Sequence, residues 1–454
     1  MRAPDSSVAG RTADPAHPFD YYYRPGMPLR PAPARAIASP LWLEPRRKML
    51  SAWIDVQPEP VQTPITRLMA DHLWQGDELM DGVVAACTRI GTAAGRRMLE
   101  HALDNGIDTL ADPPPELVAL FEQLDNPPPW YDPQLWEHGR RLWINVSTSG
   151  KLAMGVQDFM GTFVGAEVAS ATGATGRFVN DPYRRNLETA TWFWNVTRPG
   201  GMDRWSPVFK DTVRVRFMHA QVRAGLRKTW GDEHFAVHGN PISNATMMGA
   251  AVTFGLSPMC FDHVHGRRFS MAQFDAAMHY WAYIAYIFGV AEELIPRTAL
   301  DGMHLSDYMV ATAGTAPEWT GQMAGAATKS LGGKGFRHRL RMAVAAAPMG
   351  MMVYFSSAEL TRALLAATPL NDIGFQPWAG IAGMVANANV RLRALDDGLP
   401  GAEGRMRRRT RGDDPAWRVN TRITRILAAR AGIHGTPYDH HDGTAQGVPS
   451  CPVR

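Results

Sequence analysis

Cysteine is scarce in this chain: three in 454 residues, Cys87, Cys260 and Cys451, far apart and without a CxxC or CxxCH spacing. That excludes a zinc ribbon, a disulfide scaffold and covalently attached c-type haem. Any metal must be held mainly by histidine or carboxylate. Long apolar runs are missing as well. The nearest approaches, 276–291 interrupted by His279 and 343–355 interrupted by Pro348, fall short of the roughly 18–20 residues that cross a bilayer. The first twenty residues show no basic segment leading into an apolar run and no arginine pair, so no export signal is read there and a cytoplasmic location is expected. Charge of one sign is not in excess: 47 Lys and Arg against 43 Asp and Glu leave +4, so a polyanion-binding tail protein is excluded and no nucleic-acid partner is expected. What the chain does have is 45% hydrophobic residues and 20% charged ones, enough to bury a large core.

Alternating β-branched runs, the mark of strands, are also few, and the apolar spacing from about 41 to 395 is mostly helical. The fold class expected is all-α, as one large helical domain over 41–395 with no Ser/Gly linker inside it. Residues 1–40 carry eight prolines with little periodicity, which disfavours helix and predicts a mobile, extended arm. Residues 396–454 read as an Arg-rich linker over 404–414, a short docking helix with Val419, Ile423, Ile426 and Leu427 on one face, and a frayed tail. The five arginines of 405–411 suit phosphate or an anionic membrane surface, or simply solvent; solvated linker is the expectation.

The chemistry concentrates in 206–230, SPVFKDTVRVRFMHAQVRAGLRKTW, a Ser-Pro helix start followed by an uninterrupted helical pattern save for Gly225. Lys210, Arg214, Gln221 and Lys228 share its outward side. His219 lies nearly opposite, with Arg216 and Arg223 within about 60° of it. Two inward guanidiniums require anionic partners. Two readings follow: a structural ion-pair network with His219 hydrogen-bonded in the core, or an anionic cofactor, with the imidazole as axial iron ligand and the arginines facing haem propionates. Upstream, PYRRNLETATWFW places Arg185, Glu188 and Thr189 at i, i+3 and i+4 on one helix face. Alone, Arg185 and Glu188 read as a surface salt bridge and the tryptophans as core. With the His219 helix they offer a donor, a carboxylate and a hydroxyl for the far wall of a pocket.

Arg185-Asn-Leu-Glu-Thr189 followed by Val215-Arg-Phe-Met-His-Ala-Gln-Val-Arg223 resembles the rubber oxygenase (latex clearing protein) and MpaB-type oxygenase family. The resemblance extends over about 130–310, through Trp130-Tyr-Asp132, Gly239-Asn-Pro-Ile-Ser243 ahead of 247–254, and Trp281 to Gly289-Val-Ala-Glu-Glu-Leu-Ile-Pro296. It implies a globin-like helical core binding haem b through its iron, His219 as proximal ligand, Arg185 and Thr189 on the distal side, and dioxygen as co-substrate in cleaving C=C bonds to carbonyl ends. It also implies an upstream glutamate base, for which Glu167 is the nearest candidate; an interhelix contact is its other reading. Rubber oxygenases commonly carry a lysine before the distal threonine, and some use it as a sixth iron ligand, whereas this chain has Glu188. The function expected is a haem-b oxygenase acting on a small apolar, alkene-containing isoprenoid, lipid or aromatic substrate. Two alternatives stand beside it. One is a non-catalytic helical haem-binding or scaffold protein. The other is a non-haem metal hydrolase using His263 and His265, beside Asp262. The tail residues His434, His440, His441, Asp439 and Asp442 read as solvated. Oligomeric state is left open.

Overall fold

The computed structural model describes residues 20–411 apart from Asp181, together with Arg422 and Ile426; of residue 177, 182–187, 190 and 330 it describes the backbone path alone. Among the described residues there are helices and no strands, as the apolar periodicity predicts. The helix starts follow local chemistry. Proline occupies the first turn of Pro64–His72, Pro115–Asp125, Pro133–Ile144 and Pro207–His238, where its missing N–H is no loss. Ser or Asp oxygens accept the free first-turn N–H groups, as Asp77, Ser206 and Ser243 do.

The centre is built on Asn244–Val264 and Met271–Ile287, the second buried almost all round. Met271–Ile287 packs along Pro133–Ile144, and Asn244–Val264 along Thr148–Val164. The first of these approaches needs Gly139: a Cβ there would collide with the backbone carbonyl of Ala276. The long helix Pro207–His238 starts on Ser206, as predicted, but runs past Trp230. It bends at Gly231, whose φ of 78° is open to glycine at little cost.

Two expectations at the ends are corrected. Residues 20–39 are non-helical for the most part, as their prolines dictate, yet this stretch is anchored. Tyr21 and Tyr22 are buried, the Tyr21 hydroxyl donates to Asp71 at 2.9 Å, and the Arg35 amide donates to the Val237 carbonyl at 3.1 Å. Aromatic side chains tie down a segment whose backbone pattern offers no core of its own. The arginines of 405–411 are solvated in part, Arg407, Arg408 and Arg411 being exposed, but most of them stand on a helix rather than a linker. Ala402–Thr410 is a helix in which Arg405 and Arg409 both reach Asp396, at 2.9 and 2.7 Å, and Arg407 reaches Glu403. The docking helix over 419–427, save Arg422 and Ile426, and the histidine-rich tail lie outside the described residues.

Candidate functional site

The acidic partners that two inward arginines require come from a single helix. Asp77 caps Glu78–Ile90, accepting from the Met80 amide at 3.2 Å, and Asp81 follows one turn later. Arg216, 2% exposed, donates Nε to Asp77 at 2.5 Å and Nη2 at 2.8 Å, and its Nη1 serves the Gln123 side chain at 2.8 Å and the Ile287 carbonyl at 3.0 Å. Arg223, 3% exposed, pairs with Asp81 through Nε at 3.0 Å and Nη2 at 2.5 Å and donates to the Ile242 carbonyl at 2.8 Å. Burial opposes the Arg223 charge, but Asp81 outweighs it and raises the pKa. Both guanidiniums are thus committed to a carboxylate network, the first of the two readings of this helix face. Their use as propionate partners is not what this geometry provides.

That network fixes the surroundings of His219. Arg216 holds the last carbonyl of Met271–Ile287, and Asn244 binds both sides of the following turn: its Nδ2 donates to Gly289 at 2.9 Å and its Oδ1 accepts from Ala291 at 2.6 Å. Gly289, at φ 83°, leaves no room for a Cβ beside the Asp77–Arg216 pair. Phe288 is therefore held on both flanks, and its ring lies along the His219 imidazole, centroids 6.1 Å apart and 21° between planes. His219 itself is half-buried.

Phe288 is also met by Trp192 of Pro182–Val196, edge-on at 5.2 Å. The Trp192 indole donates to Thr212 at 2.9 Å. Thr212 and His219 are seven residues apart, hence on one face of the long helix two turns from each other. Glu188 and Thr189 precede Trp192 by four and three residues, on its own face. Glu188 is 4% exposed, so the surface salt-bridge reading of that residue is corrected. The Arg185 side chain lies outside the described residues. Phe193 continues the wall against Phe254 at 4.7 Å and Trp281 at 5.3 Å.

Glu167 lies in the first turn of the helix Ala166–Ala174 and forms an ion pair with Arg35 of the anchored segment, whose side chain is 9% exposed. Its second oxygen is buried without a hydrogen bond. Arg35, lowered by burial to about 10, also donates to the His238 carbonyl at 2.8 Å. Above it His234 and His238 stack at 4.1 Å. Burial first, then His238 and Arg35, pull His234 down to about 4 from 6.5, and His238 shifts the same way. In the range between those values the unfolded chain takes up protons that the folded histidines refuse. Stability is accordingly full above about pH 6.5 and falls as pH drops toward 4. Thermal unfolding across this range should show that decline, and His234→Gln should flatten it; an unchanged profile would remove the dyad from the acid response.

His263 and His265 do not converge. The His263 Nδ1 accepts from the Phe269 amide at 3.0 Å, and its ring stands by Trp53. His265 turns to the Phe261 carbonyl at 2.8 Å and the Tyr354 hydroxyl at 3.0 Å. Asp262 goes to Ser147 and Arg267. Among the described residues no three His, Cys, Asp or Glu side chains group around a common point, so the metal-clamp reading of this pair is corrected.

A family model described as "ER-bound oxygenase mpaB/B'/Rubber oxygenase, catalytic domain" matches residues 140–379, more than half of the chain. A rubber oxygenase of Streptomyces sp. (strain K30) is 26% identical over 291 residues, 59% of this chain and 63% of that protein. This chain therefore spans less than two thirds of the length of that relative. The structure of latex clearing protein in its closed state is similar over 81% of this chain and 94% of the other, at 17% identity and a TM-score of 0.48. The matched span takes in Glu167, Glu188, Thr189, Arg216, His219 and Arg223. Asp77, Asp81 and Arg35, which pair with Arg216, Arg223 and Glu167, lie before it.

Proposed function

We propose that this chain, which belongs to the ER-bound oxygenase mpaB/B'/rubber oxygenase family and carries its oxygenase catalytic domain, works as a haem-b-dependent oxygenase on an apolar, alkene-containing substrate. The observation that carries the reading is the meeting, through Phe288, of the Trp192 face of Pro182–Val196 with the His219 face of Pro207–His238. A half-buried imidazole against the Phe288 ring, with no group of three ligating side chains among the described residues, suits a metal that brings its other ligands in a macrocycle better than a bare ion. His219 is the residue that would hold it. Bound haem would supply the redox centre for dioxygen, both of whose atoms end on the two carbonyls left when the C=C bond breaks.

The protein's own residues divide the remaining work. Asp77 and Arg216 position Phe288, and with it one side of His219. If the helices run antiparallel from the Trp192–Thr212 contact, as the short connection 197–206 favours, backbone position 185 comes level with His219, and Glu188 and Thr189 follow about one turn on. That register supports Arg185 and Thr189 as donors on the substrate side. Phe193 with Phe254 and Trp281 supplies an apolar wall for a hydrocarbon. The non-catalytic reading draws on the completed pairing of Arg216 and Arg223, and dioxygen uptake with a candidate alkene separates it from catalysis.

Absorption spectroscopy of the purified protein tests the cofactor. A Soret band is expected, and His219→Ala should remove most of it while His263→Ala and His279→Ala retain it. Equal haem content in all three variants would overturn His219 as the ligand.

A further inference from the structure

Far from His219 in sequence, Phe336–Phe355 packs against Gln376–Gly398, and the second helix has its apolar residues on two opposite sides. Gly383, Ala386 and Val390 are buried. About 180° round the helix, Ile381, Met384, Val385, Leu392 and Leu395 face out, the last four 64–68% exposed. A surface helix ordinarily carries polar residues there. From Ile381 to Leu395 the stripe runs about 21 Å. Phe336, Leu340 and Val344 of the partner helix form a similar ridge, 81, 56 and 68% exposed.

Along these two helices the charge has one sign up to residue 395, and the exposed acid nearest the trough between them, Glu44, is paired with Lys48 at 2.7 Å. Residues 319–358 contain Lys329, Lys334, Arg337, Arg339 and Arg341 and no Asp or Glu, and 376–395 contain Arg391 and Arg393 and again no acid. Arg337 and Arg341 lie on one flank of the Phe336–Val344 ridge and Arg339 on the other. The acids that follow are engaged: Asp396 with Arg405 and Arg409, Asp397 with Arg267. Between the two helices lies an open trough of about 850 Å³, lined by Tyr354, Gly380, Met384 and Ala388 with Lys48 and Arg391 at its polar parts.

We infer that this helical pair is a membrane-surface site, its apolar stripe lying in the headgroup boundary of an anionic bilayer and its arginines on lipid phosphates. An apolar face flanked by cations is the pattern of an interfacial helix. No described helix is long and apolar enough to cross a membrane, so the contact is lateral. A second copy of the chain fits less well, because a twofold pairing would set the same arginines against one another. The inference stands whether or not haem is bound.

The test is co-sedimentation of the full chain with vesicles of phosphatidylcholine alone and of phosphatidylcholine containing phosphatidylserine. Binding is expected with the anionic vesicles, weakening as salt rises. At roughly 1 kcal/mol per basic residue, Arg337→Ala, Arg339→Ala and Arg341→Ala together should reduce partitioning by about a hundredfold. Val385→Glu with Leu392→Glu should abolish it; both side chains face solvent, and an unchanged thermal melt will show that the fold survives. Failure of the wild type to sediment, or binding indifferent to both sets of substitutions, overturns the inference. So does a dimer in sedimentation velocity that Leu392→Glu disperses without any vesicle binding, which would assign the face to self-association. Vesicle binding that is lost on removal of 412–454 would assign it to the tail and overturn the inference.

Discussion

Asp77→Ala is expected to destabilise the protein by about 3–5 kcal/mol, the cost of leaving a buried charge without its partner. Arg216 is 2% exposed and donates two hydrogen bonds to this one carboxylate; its remaining acceptors, Gln123 and the Ile287 carbonyl, are neutral. The same substitution uncaps Glu78–Ile90, which adds about 1 kcal/mol. Asp77→Asn keeps an oxygen for the cap and one acceptor for the guanidinium, so it should cost less. Asp81→Ala should also cost less, because the Asp81 side chain retains 20% exposure against 9% for Asp77 and water can replace part of what is lost. Denaturant unfolding of the three variants measures the order. If Asp77→Ala loses under about 1 kcal/mol, Arg216 has another counter-charge and this network does not hold Phe288 in place. Replacing both members, Asp77→Leu with Arg216→Met, should recover stability relative to Asp77→Ala, since the unpaired charge leaves with the arginine. It should not recover the position of Phe288, which depends on the Arg216 bond to the Ile287 carbonyl.

The sequence made one half of this network readable. Helical periodicity put Arg216 and Arg223 on the inward face of the long helix, and the energetic cost of burying them required acids. Periodicity could not say which acids, because Asp77 and Asp81 are 139 and 142 residues away. A signal was present in the Asp77-Glu-Leu-Met-Asp81 spacing, which sets two carboxylates on one helix face. It became specific only once two arginines with the same requirement had been placed opposite. Arg35 was hidden in a proline-rich stretch read as free of the body. There the relevant residues were not the prolines, which govern backbone shape, but Tyr21 and Tyr22, whose ring burial decides whether the stretch docks. Phe288 was lost inside an apolar run, where nothing separates a core phenylalanine from one that faces an imidazole. The helix ends were legible because caps act within three residues; the site was only partly legible because its supports act across the whole chain.

Glu188→Lys should change the visible spectrum of the haem-loaded protein toward a six-coordinate, amine-ligated form and weaken carbon monoxide binding. Glu188 is 4% exposed and lies one turn before Trp192, whose ring reaches both Thr212 and Phe288. Its helix face is thus turned to the helix that carries His219. A carboxylate in such a place is costly to bury alone, and Arg185 at i−3 on the same face is the partner that the sequence spacing offers. A carboxylate so paired would not bind a haem iron as a neutral amine does, so the wild-type spectrum is expected to lack amine ligation. Lysine at 188 brings an amine of sufficient reach, and a dry pocket favours the neutral form that ligates. Glu188→Gln separates charge from reach: it should leave the coordination unchanged while relieving Arg185 of its partner. Arg185→Ala should lower oxygenase turnover more than haem content, because a donor aimed at developing negative charge contributes chiefly in the transition state. If Glu188→Lys alters neither the spectrum nor carbon monoxide binding, residue 188 faces away from the iron, and the antiparallel register built on the Trp192–Thr212 contact is wrong by about half a helical turn.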